Sequence, residues 1–204
     1  MLSSDDDIRT NEAKRFRDDT LAAGKILLKD EAFAAVQSMV ESVRRVCGKW
    51  LDLPGRKEQS IYWENELTGL PMKMRLDWLV IGQRPVVFDL KTTTDASPLA
   101  FRTTIERQRY WLQHPQYVEG IEAVTGETPL FYFIAVENKF PFACAIHEID
   151  PDSAELANMR RNELLSQLAD CFASGEWSEP WEQRINALPL RQYCFASTIQ
   201  PEPV

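Results

Sequence analysis

Residues 55–95 read GRKEQSIYWENELTGLPMKMRLDWLVIGQRPVVFDLKTTTD, and this stretch decides the fold. The segment before it spaces its apolar residues three and four apart; here they alternate, or run together, between turn residues. Gln59–Glu66, Pro71–Ile81 and Pro85–Thr93 each suit a strand, with Thr68-Gly69 and Gly82-Gln83 as the turns. In the second strand Lys73, Arg75 and Asp77 lie two apart and share one face, while Met72, Met74 and Leu76 share the other. In the third, Asp89 and Lys91 share a face, with Phe88 and Leu90 opposite. Pairing the two strands through their tight turn brings Asp77 and Asp89 to the same end of the sheet, with Lys91 beside them.

Alternating charge on a strand usually marks the wet face of a half-buried sheet. Val86-Val87 and Phe88 argue otherwise here, because a strand buried on both faces carries Asp89 and Lys91 only if they are paired or bind metal. Two carboxylates suit Mg²⁺, a hard cation that takes oxygen ligands and keeps several waters. Such an ion lowers the pKa of bound water and stabilises charge on a phosphate. A neighbouring lysine holds the attacking water or helps to deprotonate it.

Outward from this stretch the periodicity predicts a short helix over about Asn11–Gly24 and a stronger one over about Asp30–Leu51, with Asp30 as its N-cap. A further helix is expected from about Thr103 to Ala123, kinked near Pro115. Leu130–Glu137 and Phe142–Ile149 read as a strand pair, and Asp150 or Asp152 caps a last helix to about Ser174. Helix, three strands, helix, two strands, helix gives one α/β domain over 1–204, a mixed sheet of about five strands flanked by helices. A polar end (about 1–10) precedes it, and an irregular tail (about 176–204) follows as a strap over the surface.

Net charge is −8 over 204 residues, which argues against coating nucleic acid through bulk charge. A cleft of carboxylates guided by a local basic patch remains compatible with it. Cys47, Cys144, Cys171 and Cys194 are scattered without a C-x-x-C pair, so free thiols are expected rather than zinc or disulfides. No apolar run is long enough to span a membrane and the N-terminus is acidic and polar, so a cytoplasmic protein is expected.

GLPMKMRLDWL followed by VVFDLKTTTDASPLAF resembles the core of the PD-(D/E)xK exonucleases of phage and prophage recombination, notably the C-terminal domain of exonuclease VIII. It is similar, more distantly, to lambda exonuclease. RYWLQHPQYVEG, FYFIAVENKFPFACAIHEID and CFASGEW extend the likeness over roughly residues 20–180. The resemblance implies a restriction-endonuclease-like core and an Mg²⁺- or Mn²⁺-dependent deoxyribonuclease, specifically a 5′→3′ exonuclease on double-stranded DNA. It also implies a ring-like homo-oligomer and cooperation with a single-strand annealing protein. Asp77, Asp89 and Lys91 match the signature, the Leu90 carbonyl completes the metal shell, and Glu58 matches the upstream acidic ligand, with Glu64 and Glu66 as rivals. Gln113 and Tyr117 match a Q-x-x-x-Y element; Gln113 would orient the lysine or the water. Lys73, Arg75, Arg102 and Tyr117 are the expected DNA contacts, with Arg107 and Arg109 even between DNA and plain solvent. Tyr110 and Trp111 are expected to pack, and Glu137 and His147 to be structural. No histidine precedes His114, although the family places one upstream, and the cysteines lack the grouping of an iron–sulfur cluster. The alternatives are an endonuclease with the same site and a catalytically impaired DNA-binding module of the same fold.

Overall fold

The computed structural model describes residues 10–177. In chain order these form α1 (Asn11–Ala22), α2 (Asp30–Leu51), β1 (Gly55–Glu64), β2 (Pro71–Val80), β3 (Val86–Thr93), α3 (Pro98–Gln108), a 3-10 turn at Tyr110–Leu112, α4 (Gln113–Thr125), β4 (Leu130–Glu137), β5 (Cys144–His147) and α5 (Pro151–Ser174). The five strands lie side by side in sequence order. Only β3 and β4 run parallel, and the other neighbours are antiparallel. This is the mixed α/β sheet expected, with the restriction-endonuclease-like arrangement.

The sheet is covered on both faces, which is why β3 is apolar on both sides from Val86 to Phe88. On one face Met74, Leu76, Val87 and Phe133 pack with Phe101 of α3 and Ile121 of α4. On the other, Trp78, Val80, Val86 and Phe88 pack with Cys47 and its neighbours Val43, Val46 and Trp50 of α2. The described residues fall into two compact units that divide after Ser166. In the second, the rings of Phe172 and Trp177 meet edge to face at 4.9 Å. The expected tail strap lies almost wholly outside the described residues.

Four local expectations change. The N-cap of α2 is Lys29, and Asp30 and Glu31 sit in its first turn, where negative charge suits the helix dipole. β5 is shorter than expected because the turn after β4 runs on to Phe142, whose φ is 58°. β1 begins earlier, at Gly55. The long helix breaks not at Pro115 but at Arg109, which takes a left-handed φ of 56°. Pro115 lies in the first turn of α4, where its missing N–H has no partner to lose. Asp150 does cap α5, its Oδ1 accepting from the Ser153 N–H at 3.0 Å.

Gly120 lets α4 come close to the sheet: a Cβ there would lie 2.6 Å from Met74 Cε and 2.9 Å from Trp63 Cζ3. Gly120→Ala is therefore expected to destabilise the protein by about 1 kcal/mol net, overpacking outweighing the gain in helix propensity. Scanning calorimetry should show a fall of roughly 3 °C in Tm; a rise would mean that α4 stands off the sheet.

Candidate active site

One irregularity places the site. β1 and β2 pair continuously from Gly55↔Val80 to Glu64↔Pro71, except that Glu58 and the residue opposite it, Asp77, drop out of the ladder. Glu58 holds a left-handed φ of 49°, unusual for a non-glycine residue. Both strands exchange faces there. Ile61, Met74 and Leu76 point toward α3 and α4, whereas Trp78 and Val80 point toward α2. The strict alternation predicted along β2 thus ends at Leu76, and Asp77 sits in the break, opening toward α2 beside Glu58.

A second irregularity meets the first. β2 and β3 pair only from Val80↔Val86 to Trp78↔Phe88. One step further, where Asp77 would face Asp89, the strands part. The Leu90 N–H donates instead to Asp77 Oδ2, at 2.8 Å. The carboxylate takes the place of a strand carbonyl and satisfies a donor that the fork would leave open. Asp77 thus reaches the β3 backbone one residue past Asp89, near enough for its charge to act on the Asp89 carboxyl.

Asp89 is only 2% exposed. It forms an ion pair with Lys91, two residues on along the same face. The Lys91 ammonium lies 4.8 Å from the Tyr110 ring centre and 5.9 Å from that of Phe133. Burial pushes the Asp89 carboxyl above the ordinary range; Lys91 and the adjacent Tyr117 hydroxyl pull it back, and Asp77 adds to the rise. Tyr117 is itself pushed up to about 12 by burial and by the charges of Asp89 and Asp77.

The other expected residues distribute unevenly. Glu58 and Asp77 share a hollow of about 480 Å³ against α2 with Lys57 and Leu90, and neither Asp89 nor Lys91 lines it. Glu58 accepts from Arg75 Nε at 2.9 Å, both side chains being exposed. Lys73 is exposed, and Arg102 is exposed with Glu106 at 3.9 Å. Arg107 and Arg109 are exposed on and just after α3. Gln113 heads α4 with its Oε1 buried and unpartnered. Tyr117, expected at DNA, is half-buried against Asp89 and Phe131 instead. His114 has a depressed pKa from burial and stands apart from the carboxylates. Glu137 accepts from the Ala96 and Ala143 N–H groups, and His147 Nε2 lies 3.0 Å from the Ala96 carbonyl. Cys47, Cys144 and Cys171 are free thiols, and Cys194 lies outside the described residues.

These donors fit a hard divalent ion in one way. Among the described residues no three His, Cys, Asp or Glu side chains gather as a ready metal cage. The chain offers Asp77 and Asp89 on either side of the Leu90 backbone, the second kept above its ordinary range by burial despite Lys91, which suits an ion that completes its shell with water.

A residue that sequence reasoning passed over is Arg161. It is buried in α5, in a stripe with Ala157 and Leu165 four residues to either side, and it reaches Gln116 and Glu119 of α4. The signal was an arginine in the middle of an apolar helical stripe, where burial demands a partner.

Residues 8–184 match the PDDEXK-like domain of unknown function. Among solved structures, the chain resembles one named "Putative exonuclease" from Eubacterium rectale, with a TM-score of 0.60 and 15% identity over 91% of this chain and 74% of that one. A second, named SSO0001, gives a TM-score of 0.36 at 16% identity over 66% of this chain and 58% of that one, and nothing rests on it. No curated protein matches. With the family match spanning most of its length and the five-stranded core in place, the chain belongs to the PDDEXK-like domain family, within the PD-(D/E)xK superfamily.

Proposed function

We propose that the protein is a divalent-metal-dependent deoxyribonuclease, and more narrowly an exonuclease that digests double-stranded DNA 5′→3′ in phage-type recombination. One observation carries the reading: Asp77 binds the Leu90 N–H at the fork of β2 and β3, next to a buried Asp89–Lys91 pair. Asp77 and Asp89 would hold Mg²⁺ or Mn²⁺, with the Leu90 carbonyl and Glu58 as further donors. The bound ion would supply an activated water and neutralise phosphate charge. Lys91, steadied by Asp89 and the face of Tyr110, would orient that water, and the unpartnered Gln113 Oε1 would help to fix it. Lys73, Arg75 and Arg102 would meet the DNA backbone, a contact that carries no sequence information. The name of the Eubacterium rectale protein supports the exonuclease over the endonuclease. A ring-like homo-oligomer, an annealing partner and a cytoplasmic setting belong to this narrower reading; among the described residues no helix is long and apolar enough to cross a membrane.

The test is digestion of end-labelled linear duplex beside closed circular DNA, with Mg²⁺, Mn²⁺ or EDTA. Metal-dependent loss of the linear DNA is expected. Asp77→Ala, Asp89→Ala and Lys91→Ala should each lower it at least about 100-fold, since a metal contributes several kcal/mol to the transition state. Cutting of the circle would select the endonuclease. Absence of cleavage by folded protein would leave the binding module.

Charge held at a functional site should reduce stability. Asp89→Asn alone strands the Lys91 ammonium and should destabilise by about 3 kcal/mol. That corresponds to a Tm fall of roughly 10 °C. Asp89→Asn with Lys91→Met removes both charges and should match or exceed the wild type. Because the folded protein holds the Asp89 carboxyl above its ordinary range, metal-free wild type should lose ground to the double variant as pH rises from about 4 through that raised value. A double variant less stable than the single would overturn this account.

A further inference from the structure

Arg161 of α5 sits at the centre of a buried polar junction. Its side chain is 5% exposed and pairs with Glu119 of α4, side chain 26% exposed. Its Nε donates to Gln116 Oε1 at 2.9 Å, and its Nη1 to Asn162 Oδ1 at 3.3 Å. The other oxygen of Glu119 accepts from Trp63 Nε1 and from Asn65 Nδ2, both at 2.8 Å. Asn65 is buried and organises the β1–β2 turn, its Oδ1 accepting from the Thr68 N–H and hydroxyl. The donors around Glu119 outweigh its burial and hold its carboxyl below the ordinary range, so the carboxylate is charged. One charge pair therefore joins α5, α4, the end of β1 and the turn that follows.

The junction grips only one side of α4. Gln116 and Glu119 are three apart and face it together, whereas Tyr117, one residue past Gln116, points to another side. Tyr117 lies near Asp89, and Gly120, one residue beyond Glu119, seats against Met74 and Trp63, where a Cβ would clash. A small turn of α4 about its axis would shift Tyr117 relative to Asp89. The close fit of Ile121 and Gly120 against the sheet limits such a turn through shape. A charge pair with directed hydrogen bonds resists it well.

We infer that Arg161, acting through Glu119 and Gln116, is a positioning residue for the nuclease site: it fixes the seating of α4 and so holds Tyr117 on Asp89. The inference rests on the nuclease reading proposed above for its effect on turnover, but not for its effect on Tyr117.

The experiment compares Arg161→Met, the double variant Arg161→Met with Glu119→Gln, and Val86→Ala, a core change at the other face of the sheet. Two readouts are taken on the full chain: kcat and KM on linear duplex at saturating Mg²⁺, and the ¹³Cζ NMR signal of labelled tyrosine, with Tyr117 assigned by Tyr117→Phe. Arg161→Met should lower kcat about tenfold with KM within twofold, and should move the Tyr117 signal. Val86→Ala should lower Tm but leave the Tyr117 signal in place and kcat within twofold. The double variant should recover Tm, since no charge is left unpaired, without recovering kcat or the Tyr117 signal. An unmoved Tyr117 signal in folded Arg161→Met overturns the inference, as does recovery of kcat in step with Tm. Wild type that cleaves no DNA sinks the nuclease reading alone, because the Tyr117 signal still decides whether Arg161 sets α4. If Arg161→Met does not fold, Arg161→Lys takes its place: it keeps the charge but loses the forked donors, and the same displacement of Tyr117 is expected.

Discussion

The hydrogen bond from the Leu90 N–H to Asp77 is the interaction on which the rest of the site depends. A sheet that opens in its middle leaves backbone donors without strand partners, and buried ones are costly to leave so. Here a side chain serves as the missing acceptor. β3 keeps its whole length paired with β4, from Val86↔Leu130 to Thr93↔Glu137. Toward β2 it keeps only three pairs. Asp89, Leu90 and Lys91 thereby gain an open edge on one side and a fixed backbone on the other. Leu90, nearly half exposed in a strand otherwise buried at its start, marks the opening.

The fork explains why charge can be kept in such an apolar neighbourhood. Asp89 is wedged between Phe88 and Leu90 in sequence and covered by Tyr117, so its charge is desolvated. Lys91 relieves this, and the faces of Tyr110 and Phe133 help to hold the ammonium. Apolar residues of similar volume would serve stability as well or better. The pair faces a second carboxylate instead, which raises the electrostatic cost again. That arrangement makes physical sense when a cation joins it.

What the sequence could disclose follows from what local rules control. The Asp77–Asp89 register was legible because a short turn and two apolar strands leave few ways to pair β2 with β3. Burial of Asp89 was legible from its apolar neighbours. The exchange of faces at Asp77 was not, because it depends on Glu58 adopting a left-handed backbone that nothing in its side chain announces. Pro115 misdirected the helix break, since proline is tolerated in a first turn, and Arg109 gave no sign of the break that it makes. Arg161 was hidden for a different reason. Its partners Gln116 and Glu119 are 45 and 42 positions away, and only folding brings them together.

Glu58 presents the remaining tension, because its carboxylate is engaged by Arg75 rather than turned to Asp77. Magnitude resolves it. An exposed pair of this kind is worth between about 0 and 1 kcal/mol, since water screens it and both long side chains lose freedom. A divalent ion bound by carboxylates interacts far more strongly with a third carboxylate nearby. The same ion would repel the guanidinium of Arg75, and a phosphate would draw it away. The Glu58–Arg75 pair is thus a weak contact between two groups that would each gain a stronger partner if metal and DNA bound as proposed. It places both at the rim of the hollow beside Asp77, where those partners would arrive.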